Sequence, residues 1–120
     1  MKDVIEVATE IHSKIHLLAK GRALLQERAE AKAKAIGEYY KAKAKVAMQL
    51  RQGVAFKLDG VNIKDPPISN VETLTRGICW REKIARDLAE SEYTNAIKGL
   101  DSIKAELNGL QSVFKHLEGV

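Results

Sequence analysis

The sequence predicts an all-α fold: a long, coiled-coil-like antiparallel helical hairpin with a short β-hairpin at its turn, assembling as an oligomeric bundle. Three observations carry that expectation. Residues 20–51, KGRALLQERAEAKAKAIGEYYKAKAKVAMQLR, contain no proline and are dominated by strong helix formers. An Asp-Gly pair, Asp59-Gly60, sits between two alternating apolar runs. Residues 93–117 then return to a helical seam.

The first helix is expected over about 3–52. Asp3 with Glu6 three residues later forms a capping box at its start. Apolar positions follow at alternating spacings of four and three: Val4, Ala8, Ile11, Ile15, Leu18, Leu25, Ala29, Ile36, Tyr39, Val46 and Leu50. This is a heptad seam, with basic residues at Arg22, Lys32 and Lys43. Long basic side chains can lie along such a seam and lift their charge into water. Gln52-Gly53 supplies the C-terminal cap. A helix of that length is not stable alone and must be packed. Gly21 and Gly37, inside it, mark close approach of a neighbouring helix or simply tolerated glycines.

Residues 54–65 change to a period of two. Val54, Phe56 and Leu58 alternate, Asp59-Gly60 turns the chain, and Val61 and Ile63 alternate again. A two-residue turn sets Leu58 opposite Val61 and Phe56 opposite Ile63, all on one face. An isolated two-stranded ribbon is marginal, so it must lie on the helices or join strands of other subunits.

Pro66-Pro67 ends the ribbon. Ser69 and Glu72 read as a second capping box, and the second helix is expected over about 70–118. Its seam is Ala89, Tyr93, Ala96, Leu100, Ile103, Leu107, Leu110, Phe114 and Leu117, preceded by a shifted stripe of Leu74, Ile78, Ala85 and Leu88. Gly77 marks a kink or a short separate first turn. The chain, 120 residues long, reads as one domain. Aromatic residues are only 5%, so the core is thin, and burial against other copies of the chain is expected.

Folding the helices back on each other brings residue i near residue ~122 minus i, from antiparallel geometry. Residues 32–86 then form the turn end, with a net charge of +7 against −3 for the remainder. Lys34, Lys41 and Lys45 share one helical face there, and Arg81, Lys83 and Arg86 come from the facing helix. Basic residues near Tyr40 and Trp80 suit single-stranded nucleic acid, because cations track phosphates while rings stack on bases. Tyr39 and Phe56 read as core.

No catalytic motif emerges. The phosphate-cradling patterns GxxxxGK[ST] and GxGxxG do not occur. His12 and His16 share a helical face at a spacing that suits zinc, but HSKIH lacks the Glu of a metalloprotease helix. An exposed pair, with no metal and no cofactor, is the simpler expectation. Cys79, the single cysteine, reads as a small buried hydrophobe and permits no intrachain disulfide. No apolar run approaches the ~18 residues of a membrane span, and the N-terminus carries no signal-peptide pattern, so a cytoplasmic location is expected.

Taken together, EAKAKAIGEYYKAKAKVAMQLR, VAFKLDGVNIKD and RDLAESEYTNAIKGLDSIKAELNGLQS resemble small, helical, Ala/Lys-rich phage proteins of recombination and replication. Their general plan is similar to that of the UvsY-type recombination mediators. That resemblance implies an oligomer that binds single-stranded DNA. The expectation is therefore a non-enzymatic, nucleic-acid-associated accessory protein. The alternative is a phage module that binds and inhibits a host protein, or a structural coiled-coil spacer.

Overall fold

A computed structural model describes residues 3–119. The elements run α1 (Val4–Arg51), β1 (Phe56–Leu58), β2 (Val61–Ile63), α2 (Ile68–Ile78) and α3 (Trp80–Glu118). The fold is all-α, with α1 packing on α3 in antiparallel fashion and the β-hairpin between them in sequence. The chain forms two compact units, one of Met1–Ala29 with Ser91–Val120, the other of Glu30–Glu90.

In the first unit, Asp3 caps α1: the Glu6 N–H donates to Asp3 Oδ1 at 2.8 Å. The contact line towards α3 is rotated from the expected seam. Val7 is fully buried, whereas Val4 and Ile15 are exposed. Ile11, Leu18 and Leu25 are half-buried as expected. Between them stand Lys14 and Gly21 rather than Ile15 and Arg22, while Arg28 is half-buried beside the expected Ala29. A helix of 3.6 residues per turn offers both stripes, and three contacts favour this one. Lys14 pairs with Glu106. Arg28 Nη1 donates to Glu92 Oε2 at 3.0 Å. Gly21 lets Leu100 approach so closely that a Cβ there would stand 3.0 Å from its Cδ1. On α3 the expected late seam is the buried side, with Leu100 and Leu107 at its centre.

In the second unit, α1 ends in a Schellman motif. The Val54 N–H donates to the Gln49 carbonyl at 3.0 Å and the Gly53 N–H to the Leu50 carbonyl at 3.2 Å. Gly53 takes the required positive φ of 82°. The β-hairpin has the expected register, Phe56 opposite Ile63 and Leu58 opposite Val61. Asp59 and Gly60 both have positive φ, 49° and 79°, the signature of a type I′ turn. Its apolar face rests on the helices through Phe56, Leu58 and Ile63, while Val61, beside the turn, is exposed. Leu50, Ile63 and Val71 form the core, flanked by Val46, Ala47, Phe56, Leu58, Leu74 and Ile78. The ribbon is thus stabilised by the helices of its own chain.

Two expectations about the second helix are corrected. It starts at Ile68, with Pro67 in the N-cap position and no side-chain cap bond, so Ser69 lies inside the first turn and the Ser69/Glu72 capping box does not form. Proline's fixed φ already suits entry into a helix. The helix is also divided, at Cys79 rather than Gly77. Cys79 has φ −89° and ψ 25°, yet its N–H still donates to the Thr75 carbonyl and its carbonyl accepts from the Lys83 N–H. Ala85 and Leu88, on the expected early stripe of this helix, are exposed. So is Arg22 on the seam of α1, while Lys32 and Lys43 are half-buried.

Candidate nucleic-acid interface

The second unit holds twelve Lys/Arg and eight Asp/Glu, a formal charge of +4 equal to that of the whole chain. The first unit sums to zero. A polyanion contact therefore has one natural location.

The six cations singled out from sequence divide into two groups. Lys34, Lys41 and Lys45 are exposed on α1, and among the described residues no ion pair holds them. At ~100° per residue they fall within about 40° of one another round the helix. Arg81 is exposed on α3, its guanidinium 5.2 Å from the Trp80 ring centre. It lines a groove with Ala35, Glu38, Glu82 and Ala85, so the lysine side of α1 and the Arg81 side of α3 adjoin. Glu38 and Glu82 moderate the positive field there.

Lys83 and Arg86 are differently employed. Lys83 Nζ lies 3.2 Å from Asp87 Oδ2. Arg86 reaches Asp87 Oδ1 through Nε at 3.2 Å and Nη2 at 2.9 Å. The hydrogen bonds from Arg86, then those from Lys83, hold the Asp87 carboxyl below the ordinary value of 3.8. Arg86 also covers the buried Tyr39 ring, 4.7 Å from its centre. These two cations share one acid, and Arg86 is in addition tied to the buried ring of α1.

The rings do not interleave with the lysines. Tyr39 is core, as expected, and Tyr40 stacks on it at 5.9 Å with Lys43 Nζ over both rings. Tyr40 and Trp80 are exposed; Tyr40 lies about 100° round α1 from Lys41, whereas Trp80 carries the Arg81 guanidinium over its face. Sequence reasoning missed this separation because it treated adjacency in the chain as adjacency on the surface. It also missed Asp87, although Lys83 and Asp87 show the i, i+4 spacing of a helical ion pair.

Cys79 is buried, and burial pushes its thiol above the ordinary 9.0. His12, His16 and His116 are exposed. Among the described residues no group of three or more His, Cys, Asp or Glu is arranged to hold a metal ion, and no helix is long and apolar enough to cross a membrane. No protein-family model, curated protein or solved structure matches this chain.

Proposed function

We propose that the protein is a non-enzymatic accessory factor that binds single-stranded nucleic acid by charge and works as an oligomer. The observation that carries this reading is that the whole net charge of the chain belongs to Glu30–Glu90. There Lys34, Lys41, Lys45 and Arg81 point their charge outward from one side, unclaimed by an ion pair among the described residues. Phosphates would be the groups recognised. With Tyr40 set away from the lysines and Trp80 lying under Arg81, the contact is chiefly to the backbone and tolerant of base sequence. Four exposed cations give a weak contact per chain, and several chains on one strand multiply it by effective concentration.

The test is binding of a fluorescent single-stranded oligonucleotide at rising salt. Affinity that falls steeply supports the reading, because each phosphate neutralised releases counterions. A flat salt response, or no binding at low salt, overturns it. Recovery of one stoichiometric protein from a nuclease-treated lysate, with no oligonucleotide binding, would favour a protein-inhibiting module instead.

A further inference from the structure

We propose that the groove between α1 and α2 is a binding site for a small organic phosphate, its phosphoryl group held by Lys43, Arg51 and the hydroxyl of Thr75. The starting observation is a hydroxyl left over by the fold. Thr9 and Ser112 donate their hydroxyls to the carbonyl four residues back, at 2.9 Å and 3.1 Å, the usual recourse of such residues inside a helix. Thr75 does not. It is 2% exposed, and its hydroxyl has no hydrogen-bond partner among the described residues. A buried hydroxyl in that state destabilises the fold, and natural folds keep such local costs chiefly where a site needs them.

Thr75 lies on the floor of a groove of about 440 Å³, within the size range of small-ligand sites. Lys43, Ala47 and Arg51 line its α1 bank, spaced i, i+4 and i+8 and so on one face of the helix. Ile68 and Val71 line the α2 bank. Glu72 is also on the groove, but Arg76 holds it at 2.5 Å. Neither Lys43 nor Arg51 is in an ion pair among the described residues, although Asp65 shares the adjoining cavity with Arg51. Lys43 Nζ lies 5.1 Å and 5.7 Å from the centres of the Tyr39 and Tyr40 rings, which orient the ammonium without neutralising it.

This donor set selects its occupant. Two uncompensated cations and a hydroxyl suit an anion with more than one charge and several acceptor oxygens. A phosphomonoester has both, with a charge of about −1.5 to −2 at neutral pH, whereas a carboxylate brings a single charge. Arg51 can fork two N–H groups onto phosphate oxygens, and Thr75 adds one O–H donor from the floor. The apolar bank of Ala47, Ile68 and Val71 takes the organic body. The groove is turned about 140° round α1 from Lys34, Lys41 and Lys45, so it is separate from the proposed strand contact.

The experiment is calorimetric titration of the full chain with phenyl phosphate, with phenol and inorganic phosphate as comparison titrants. Saturable binding of phenyl phosphate is expected, with phenol silent and inorganic phosphate weaker by about tenfold or more for want of an apolar body. Thr75→Val should weaken phenyl phosphate by about tenfold, and Thr75→Ser should recover most of that. Arg51→Ala should weaken it by a similar factor, while Lys57→Ala, at an exposed cation elsewhere in the same unit, should leave it unchanged. Circular dichroism checks that each variant keeps its helices. Absence of saturable phenyl phosphate binding overturns the proposal. So does a folded Thr75→Val that binds as the parent does, equal losses from Lys57→Ala and Arg51→Ala, or inorganic phosphate binding as tightly as phenyl phosphate. Oligonucleotide binding is read in a separate titration, so failure of this site and failure of the strand contact are distinguishable.

Discussion

Arg86 lies with its guanidinium 4.7 Å from the centre of the Tyr39 ring while its Nη2 reaches Asp87 Oδ1 at 2.9 Å. One side chain thus joins α3 to the buried ring of α1 and neutralises the acid beside it. Its planar fork makes both contacts at once, which a lysine ammonium cannot. Arg86→Ala is expected to lower the melting temperature without changing strand affinity, and Arg86→Lys to restore little. Tyr39→Ala, which empties a buried aromatic site, is expected to cost ~3–5 kcal/mol by urea titration. A normal melt with lost strand binding in Arg86→Ala would reverse the assignment.

Lys34, Lys41 and Lys45 carry the opposite expectation. With Arg81 they give about four phosphate contacts, so log K against log salt should fall with a slope near −3 on a single strand, ~0.7 per contact. Replacing the three lysines by Ala should flatten that slope to about −1 while the melting temperature hardly moves, because exposed side chains outside any network contribute little to stability. Lys83→Ala should leave the slope unaltered. Equal losses from Lys83 and Lys41 would mean that the charged side has been misidentified.

The parts of the fold that were legible in the sequence are those set by local chemistry. Asp59-Gly60 specified both turn and register because so few residues accept two successive positive φ angles. Asp3 and Gly53 ended α1 for similar reasons. The α1 seam was legible from Leu25 to Leu50 but not in its first turns, where Val7, Lys14 and Gly21 are covered in place of Val4, Ile15 and Arg22, since an Ala-rich helix offers two adjacent stripes of comparable quality. The choice between them was made by residues on the other helix, Glu92, Leu100 and Glu106. The candidate site was half legible for the same reason. That the charge is concentrated can be counted, but whether Lys83 and Arg86 are free depends on where Asp87 and Tyr39 stand.

Asp87 makes the acid stability of the second unit specific. Its carboxyl is held below 3.8 by hydrogen bonds from Arg86 and Lys83, so the folded state favours the ionised form. A group of this sign contributes stability that is fully present above its unfolded value and is lost as pH falls through the lower, folded one. Melting temperature should therefore decline on acidification below about pH 4. Asp87→Asn should show a shallower decline, starting from a lower melting temperature at neutral pH. Parallel profiles for the two proteins would show that the carboxylate is not linked to folding.

Glycines at two places should respond with opposite signs to alanine. Gly53 has a φ of 82°, and an added Cβ would meet Asp65 Oδ1 at 3.3 Å. The left-handed conformation alone costs an L-residue roughly 1–2 kcal/mol, so Gly53→Ala should destabilise by at least that. Gly109 lies in the interior of α3 with nothing within 4 Å of a built Cβ. There Ala should stabilise by about 0.5–1 kcal/mol through its better helix propensity. Chemical denaturation of both variants checks the pair.

Thr75 offers the sharpest stability test. It is 2% exposed, and its hydroxyl has no hydrogen-bond partner among the described residues. A buried polar group left unmatched costs about 1–3 kcal/mol of desolvation, whereas valine replaces the hydroxyl by a methyl of nearly the same volume with similar helix propensity. Thr75→Val is therefore expected to stabilise the protein by about 1 kcal/mol or more, read as a higher urea midpoint at unchanged slope. Thr75→Ala should instead destabilise, since it removes the hydroxyl but also empties the space of the methyl. If valine destabilised as alanine does, the hydroxyl would be bonded in solution.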